Sequence, residues 1–238
     1  MRILEPYNPL GVENLGISIA NALLRQPAEA MPPPEPFIAA GIYAIYYLGE
    51  FEPYRPIADL NRVERYKLPI YIGKAVPKGA RIGGVGLGGS PGRVLYDRLR
   101  EHAESIELAE NLKLDDFRCR FLALEDIWIP LGESLLIETF SPLWNHPLSG
   151  FGNHDPGSGR YNQQRSKWDE LHVGRAWARK LQPYGKGAYG NANAIAQALL
   201  IEIAQHLART AAPQEVPDAI TEVNMAREVS DEPKPAND

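Results

Sequence analysis

The apolar positions change period along the chain, and the changes mark out its elements. VENLGISIANALLRQ (12–26) places Leu15, Ile19, Ala22 and Leu23 at helical spacing and predicts a short amphipathic helix. The three consecutive prolines of AEAMPPPEPF (28–37) cannot continue it and predict a stiff lead into the core. FIAAGIYAIYYLG, β-branched and aromatic between glycines, reads as a strand, and PIYIGKAV (69–76) as a second. Between them, 51–68 reads as irregular with one helical turn. PKGARIGGVGLGGSPG (77–92) is too rich in glycine for regular structure. RVLYDRLREHAESIELAENL (93–112) returns to helical spacing through Val94, Leu95, Leu99, Ala103 and Ile106. DDFRCRFLAL (115–124) alternates, with Phe117, Cys119 and Phe121 on one side and Arg118 and Arg120 on the other. LGESLLIETFS (131–141) is a helix stopped by Pro142, residues 150–165 are polar loop, and 167–181 and 192–209 read as helices.

The central order of strand, strand, helix, strand, helix predicts a small α/β core with a three-stranded, mainly antiparallel sheet flanked by helices. Helical extensions lie on both sides of it. The first two strands have no full crossover helix between them, which favours an antiparallel pair. Four regions are expected: a helix and Pro-rich linker (1–37), the core (38–147), a loop and helical extension (148–212), and a tail (213–238).

Composition narrows the class. A chain of 238 residues, 44% hydrophobic and 23% charged, suits one compact domain with appendages. No apolar run approaches the roughly 20 residues of a membrane helix. MRILEPYNPLG lacks the pattern of a secretory signal, so a cytoplasmic location is expected. Cys119 is the only cysteine, which excludes a disulfide framework and cysteine-based zinc sites.

Charge is segregated. The net −5 is carried by the tail, where seven acids face Arg227 and Lys234, and the tail's composition predicts disorder. The remainder is neutral overall but holds two basic stretches. Residues 62–100 contain nine Lys/Arg against Glu64 and Asp97, and 160–180 contain six against Asp169 and Glu170. Such stretches can form a polyanion-binding face on a neutral body, or simply a solvated surface.

Six polar residues sit at the ends of successive elements: Tyr43, Tyr71, Arg98, His102, Glu133 and Asn145. Each alone has an ordinary structural reading. Tyrosine is favoured in strands, Arg98 and His102 share a helix face at i and i+4, Glu133 suits a helix N-terminus, and Asn145 suits a turn. Other chemistries lack their parts, since no nucleophile elbow, phosphate loop or second metal-binding acid stands out. The set fits phosphodiester hydrolysis with one metal. A lone carboxylate holds Mg²⁺, an arginine neutralises the phosphate, and a tyrosine of lowered pKa deprotonates water. His146 and His154, in NHP and GNHDPGSG, do not have the spacing of a His-rich metal cluster.

GIY at 41–43 and YIG at 71–73 resemble the two signature strands of the GIY-YIG nuclease superfamily. Arg98-x-x-x-His102 is similar to that family's Arg followed one turn later by His or Tyr. ESLLIETFSPLWN is similar to its Glu-x-x-Leu-Ile helix and Pro-x-x-Asn turn. The resemblance spans about residues 38–147. The spacing from Tyr43 to Tyr71, the glycine-rich loop and the segment GFGNHDPGSGRYNQQRSKWD resemble the type II restriction endonuclease branch, which works as a homodimer.

The resemblance implies roles. Tyr71 is the general base, its pKa lowered by Arg98 and the metal, and His102 is the other candidate to accept the proton. Tyr43 bonds the water or phosphate, Arg98 clamps the phosphate, Glu133 is the metal ligand, and Asn145 braces the site. Mg²⁺ is expected, with Mn²⁺ able to substitute. The expected substrate is double-stranded DNA carrying a short palindromic, G·C-containing site. Arg81, Arg93, Arg160 and Arg165, on loops flanking the core, are expected to read bases, Lys74 to contact the DNA backbone, and Lys78, Lys167 and Arg175 to be phosphate contacts. A restriction system implies a cognate DNA methyltransferase. A non-cutting DNA-binding protein on the same fold, and a structure-specific repair or mobile-element nuclease, are the alternatives.

Overall fold

The computed structural model describes residue 8 and residues 11–77, 90–185 and 192–210. Helix α1 (Val12–Leu24) precedes strands β1 (Glu29–Ala30) and β2 (Gly41–Tyr47). Then follow α2 (Arg55–Val63), β3 (Tyr71–Ala75), α3 (Val94–Glu107), β4 (Phe117–Ala123), α4 (Ile129–Phe140), α5 (Lys167–Leu171) and α6 (Ala192–Thr210). The sheet has the order β1-β4-β2-β3 with every neighbouring pair antiparallel. No helix among the described residues is long and apolar enough to cross a membrane.

Strand β2 is the keel. It is hydrogen-bonded on both edges and buried at all seven positions, which is why it reads as an almost unbroken apolar run. Its alternation divides two cores. Ile42, Ala44 and Tyr46 pack with Ala20 and Leu23 of α1 and Ile129 and Leu136 of α4. Tyr43, Ile45 and Tyr47 pack with Leu95, Leu99 and Ile106 of α3 and with Trp144, Phe151 and Trp168. Each such side chain withdrawn from water contributes about 1.5–3 kcal/mol against the entropy of ordering it. Phe151, Trp168, Leu199, Ile203 and Leu207, all beyond residue 147, lie in the same core as Tyr43.

The mixed α/β architecture with an antiparallel sheet is the one expected, with four differences, the smallest being that the helix expected over 93–112 ends at Glu107. The sheet has four strands rather than three, because Glu29–Ala30 pairs with Arg118 and Cys119 before the prolines begin. Two residues are too few to show a period. Residues 55–63 form a helix rather than a single turn, with Tyr54, Ile57, Ala58 and Asn61 buried along one side and a proline in its first turn. The helix expected over 167–181 stops at Leu171. His172 leaves helical geometry at φ −111° and ψ 77°, and beyond it Gly174 lies against the Leu108 carbonyl, where a Cβ would collide.

The glycine-rich loop with Lys78 and Arg81, and the acidic tail, lie outside the described residues.

Candidate active site

Sheet register explains why a glycine closes the YIG triplet. Tyr43 pairs with Gly73, and a Cβ on Gly73 would strike the Tyr43 hydroxyl. The bare position lets the Tyr43 phenol lie across β3 toward Tyr71, with the ring centroids 6.2 Å apart. Both rings meet His102, at 5.5 and 5.2 Å.

Helix α3 brings Arg98 and His102 to this place one turn apart. His102 is 1% exposed, and its Nε2 lies 2.6 Å from the Tyr43 hydroxyl. Burial drives the imidazole well below its usual pKa, and the nearby Arg98, His154 and Arg175 add to this, so His102 is neutral. Burial drives the Tyr43 phenol well above 10, so it stays protonated. The phenol therefore donates, Nε2 accepts, and the imidazole proton sits on Nδ1. Tyr71 is also pushed up by burial. Arg98 opposes this, the Glu133 charge adds to it, and hydrogen bonding with Tyr43 works against it. The lowered Tyr71 pKa expected from the sequence is not a property of the protein groups by themselves, because desolvation outweighs one arginine.

Arg98 is the hub. Its Nη1 donates to Glu101 Oε2 (3.0 Å) and to His154 Nε2 (2.5 Å), and its Nη2 donates to the Gly152 carbonyl (2.9 Å). Its side chain keeps 21% exposure, so it is not sealed from solvent.

Glu133 stands in the first half of α4, next to Gly132, whose missing side chain lets the helix approach Ile19 and Ile42 closely. Its carboxylate lies 2.5 Å from the Lys74 ammonium at 19% exposure, and its charge is felt by both phenols. A cation already occupies the place beside this carboxylate, as a metal ion would. Among the described residues no group of three or more His, Cys, Asp or Glu could hold a metal. The Glu133 carboxylate is the kind of oxygen donor that a hard divalent ion takes. Asn145 is a brace: its Oδ1 accepts from Ile72 N–H and its Nδ2 donates to Ile72 C=O, both at 2.8 Å. The amide thus completes the outer edge of β3 between Tyr71 and Gly73, where no further strand pairs.

The structure thus gathers Tyr43, Tyr71, Arg98 and His102, with Tyr43 hydrogen-bonded to His102, the Tyr71 ring against both, and Arg98 one helical turn before His102, while Glu133 and Asn145 lie on the flanks. The residues expected at DNA divide. Arg160 is exposed on a turn, and Arg93 is half exposed beside Asp97. Arg165 is engaged by the Ala178 carbonyl and Glu170, and Lys167 by Glu202. Arg175 is corrected: at 2% exposure, ion-paired to Asp169, it is a core residue and not a phosphate contact.

Sequence reasoning missed Phe151, Gly152 and His154 as site neighbours. Phe151 stacks on His102 at 4.4 Å, and a Cβ on Gly152 would sit 2.8 Å from the Tyr71 hydroxyl. The segment GFGNHD carried the only signal, as glycines around an aromatic and a histidine in a polar loop.

Among curated proteins none matches the chain. A family does: the one described as the Eco29kI GIY-YIG domain matches residues 35–207, which takes in both signature strands, Arg98, His102, Glu133, Asn145 and the segment carrying Phe151 and Gly152. The chain belongs to that family of type II restriction endonucleases, and its core is a GIY-YIG nuclease domain.

Proposed function

We propose that the protein is a sequence-specific endonuclease of double-stranded DNA, hydrolysing phosphodiester bonds with one Mg²⁺ and a tyrosine-centred proton relay. The observation that carries this reading is the gathering of Tyr43, Tyr71, Arg98 and His102 around the Tyr43–His102 hydrogen bond, with the Glu133 carboxylate near enough to act on both phenols. A binding module has no use for that combination.

Glu133 would hold the ion as its one protein ligand, and Lys74 would turn from Glu133 to the DNA backbone. When bound, the ion supplies a second positive charge beside the scissile phosphate. Arg98 pairs with non-bridging phosphate oxygens and neutralises the charge that builds as water adds. Tyr71 orients the attacking water and takes its proton. Because both phenols hold their own protons, Tyr71 accepts one as it passes another to Tyr43, and Tyr43 passes its proton to His102 Nε2. The neutral imidazole is ready for this, and the negative charge of DNA favours the imidazolium that forms. Asn145 keeps β3, and so Tyr71, in place.

Lys74, Arg93 and Arg160, with Lys78 and Arg81 of the glycine-rich loop and Arg165, serve DNA contact. The site is a short palindrome containing G·C pairs, and each protomer of a homodimer cuts one strand. The enzyme acts in the cytoplasm beside a methyltransferase that protects the same sequence.

Incubation with plasmid and phage DNA of known sequence, with and without Mg²⁺, tests the reading. Discrete Mg²⁺-dependent fragments are expected, and sequencing their ends gives the site. Random nicking would remove sequence specificity. Binding without any cleavage would make the protein a non-cutting member of the fold.

A further inference from the structure

Arg175 is far from the signature motifs in sequence and has no access to solvent, yet four of its hydrogen bonds bear on the site. Its Nε donates to Asp169 Oδ1 at 2.6 Å, and both residues are 2% exposed. Its Nη1 donates to the carbonyls of Phe151 (3.0 Å) and Asn153 (3.1 Å), and Nη2 to that of Gly150 (3.1 Å). The guanidinium lies over the rings of Trp168 and Trp177, at 4.5 and 4.8 Å. The other Asp169 oxygen accepts from Ser166 Oγ at 2.6 Å. A buried pair of this kind adds little stability over apolar packing of equal volume, so its value lies in geometry. A planar fork can gather three carbonyls of one turn, and a point ammonium cannot.

That turn faces the cluster. Gly150 adopts φ +114°, a conformation open to glycine, and sends the chain toward α3. Phe151 then covers His102 with its rings nearly parallel (18°) and meets Tyr71 edge-on at 5.0 Å. Gly152 gives its carbonyl to Arg98, and a Cβ there would lie 2.8 Å from the Tyr71 hydroxyl and 3.2 Å from Arg98 Nη2. The φ of Gly152 is one that other residues adopt, so the demand at that position is for space beside the two reacting groups.

We propose that Arg175 is a positioning residue for cleavage: it fastens the Gly150–Asn153 turn, through which the Gly152 carbonyl aims the Arg98 guanidinium and the Phe151 ring fixes His102, while bare Gly152 leaves room at the Tyr71 hydroxyl. The inference rests on the nuclease reading above.

The test uses full-length protein on a DNA that the wild type cuts. Single-turnover rates at saturating enzyme are compared with DNA affinity, measured separately without divalent metal, and with melting temperature. Gly152→Ala is expected to melt within about 2 °C of wild type and to bind DNA equally, but to cut about 10- to 100-fold more slowly. Arg175→Lys keeps a charge opposite Asp169 and loses the fork; its folded fraction is expected to show a rate loss of about tenfold or more with binding retained. If Arg175→Lys does not fold, Gly152→Ala and Phe151→Leu decide the matter. Folded variants that cut at the wild-type rate would overturn the proposal. So would variants that lose affinity while keeping the saturated rate, since the turn would then be a DNA-binding element. A wild type that cuts no DNA defeats the nuclease reading itself, whereas a cutting wild type with unaffected variants defeats this inference alone.

Discussion

Two buried tyrosine–histidine pairs stand in one core, and only one has the surroundings of a reaction site. Tyr43 bonds His102 Nε2 at 2.6 Å, and Tyr54 bonds His172 Nε2 at 2.5 Å. Both imidazoles are held neutral by burial, His172 with a pKa lowered to about 3. Trp144 joins the regions, tilted on Phe151 at 4.5 Å and edge-on to Tyr54 at 6.1 Å. The contrast lies at the ends of each pair. Tyr54 accepts from Trp144 Nε1, and His172 Nδ1 donates to Asn111 Oδ1, so that pair is closed by neutral groups at both ends. The Tyr43 pair adjoins Tyr71, Glu133 and the partly exposed Arg98. A phenol on a neutral imidazole is by itself a core hydrogen bond. The cation and the carboxylate beside Tyr43 are what suit that pair to the proposed relay.

The comparison breaks most sharply by truncating each histidine. His102→Ala should lower the single-turnover cleavage rate by roughly 10²- to 10⁴-fold, the usual range for a group that handles a proton, in a protein that still folds. His172→Ala should leave cleavage by the folded fraction unchanged. Both truncations leave a cavity and an unpaired phenol and should each cost about 2–4 kcal/mol in denaturant unfolding, so the rate is what separates them. If the two variants gave the same pattern, the distinction between the pairs would fail.

Acid offers a second, smaller separation. Unfolded His172 takes up a proton near its ordinary pKa of about 6.5, while the folded residue stays neutral down to about 3. Between these values the unfolded state binds more protons, so stability falls as pH falls, approaching about 1.4 kcal/mol per pH unit for this group. His102 adds to the same trend. Urea titrations from pH 7 to pH 4 should show the decline, and it should be shallower in a His172→Asn variant; an equal slope would remove His172 as its source.

The smallest effect lies outside both pairs. Arg160, exposed on its turn, should contribute one phosphate contact at most. Arg160→Ala should then reduce the slope of log affinity against log salt by about one and leave the saturated cleavage rate unchanged. An altered recognition site instead would make Arg160 a base reader.

What could be read from the sequence follows from how local each signal is. The tyrosines of GIY and YIG, and Arg98 with His102 at helical spacing, lie on elements whose own periods orient them. Asn145 is different: as a residue it suits any turn, and its double bond to Ile72 exists only because β3 is a sheet edge. Arg175 shows the limit. Six basic residues in 160–180 read as a DNA-facing stretch, but one of them is turned inward by Asp169 and by the carbonyls of a turn more than twenty residues earlier. Charge in a sequence carries no sign of its burial, and a clamp made through backbone carbonyls leaves no side-chain pattern at the other end. The helix expected through 181 ends at Leu171, and the close approach of Gly174 to the Leu108 carbonyl is a tertiary contact that helical spacing does not show.

The most direct measurement is cleavage against binding in Glu133→Gln beside the wild type, on the same duplex DNA with Mg²⁺. The account predicts equal folding and retained DNA binding, with cleavage reduced by about 10³-fold or more, because the carboxylate proposed to hold the ion is gone. A Glu133→Gln variant that cuts like the wild type would contradict it.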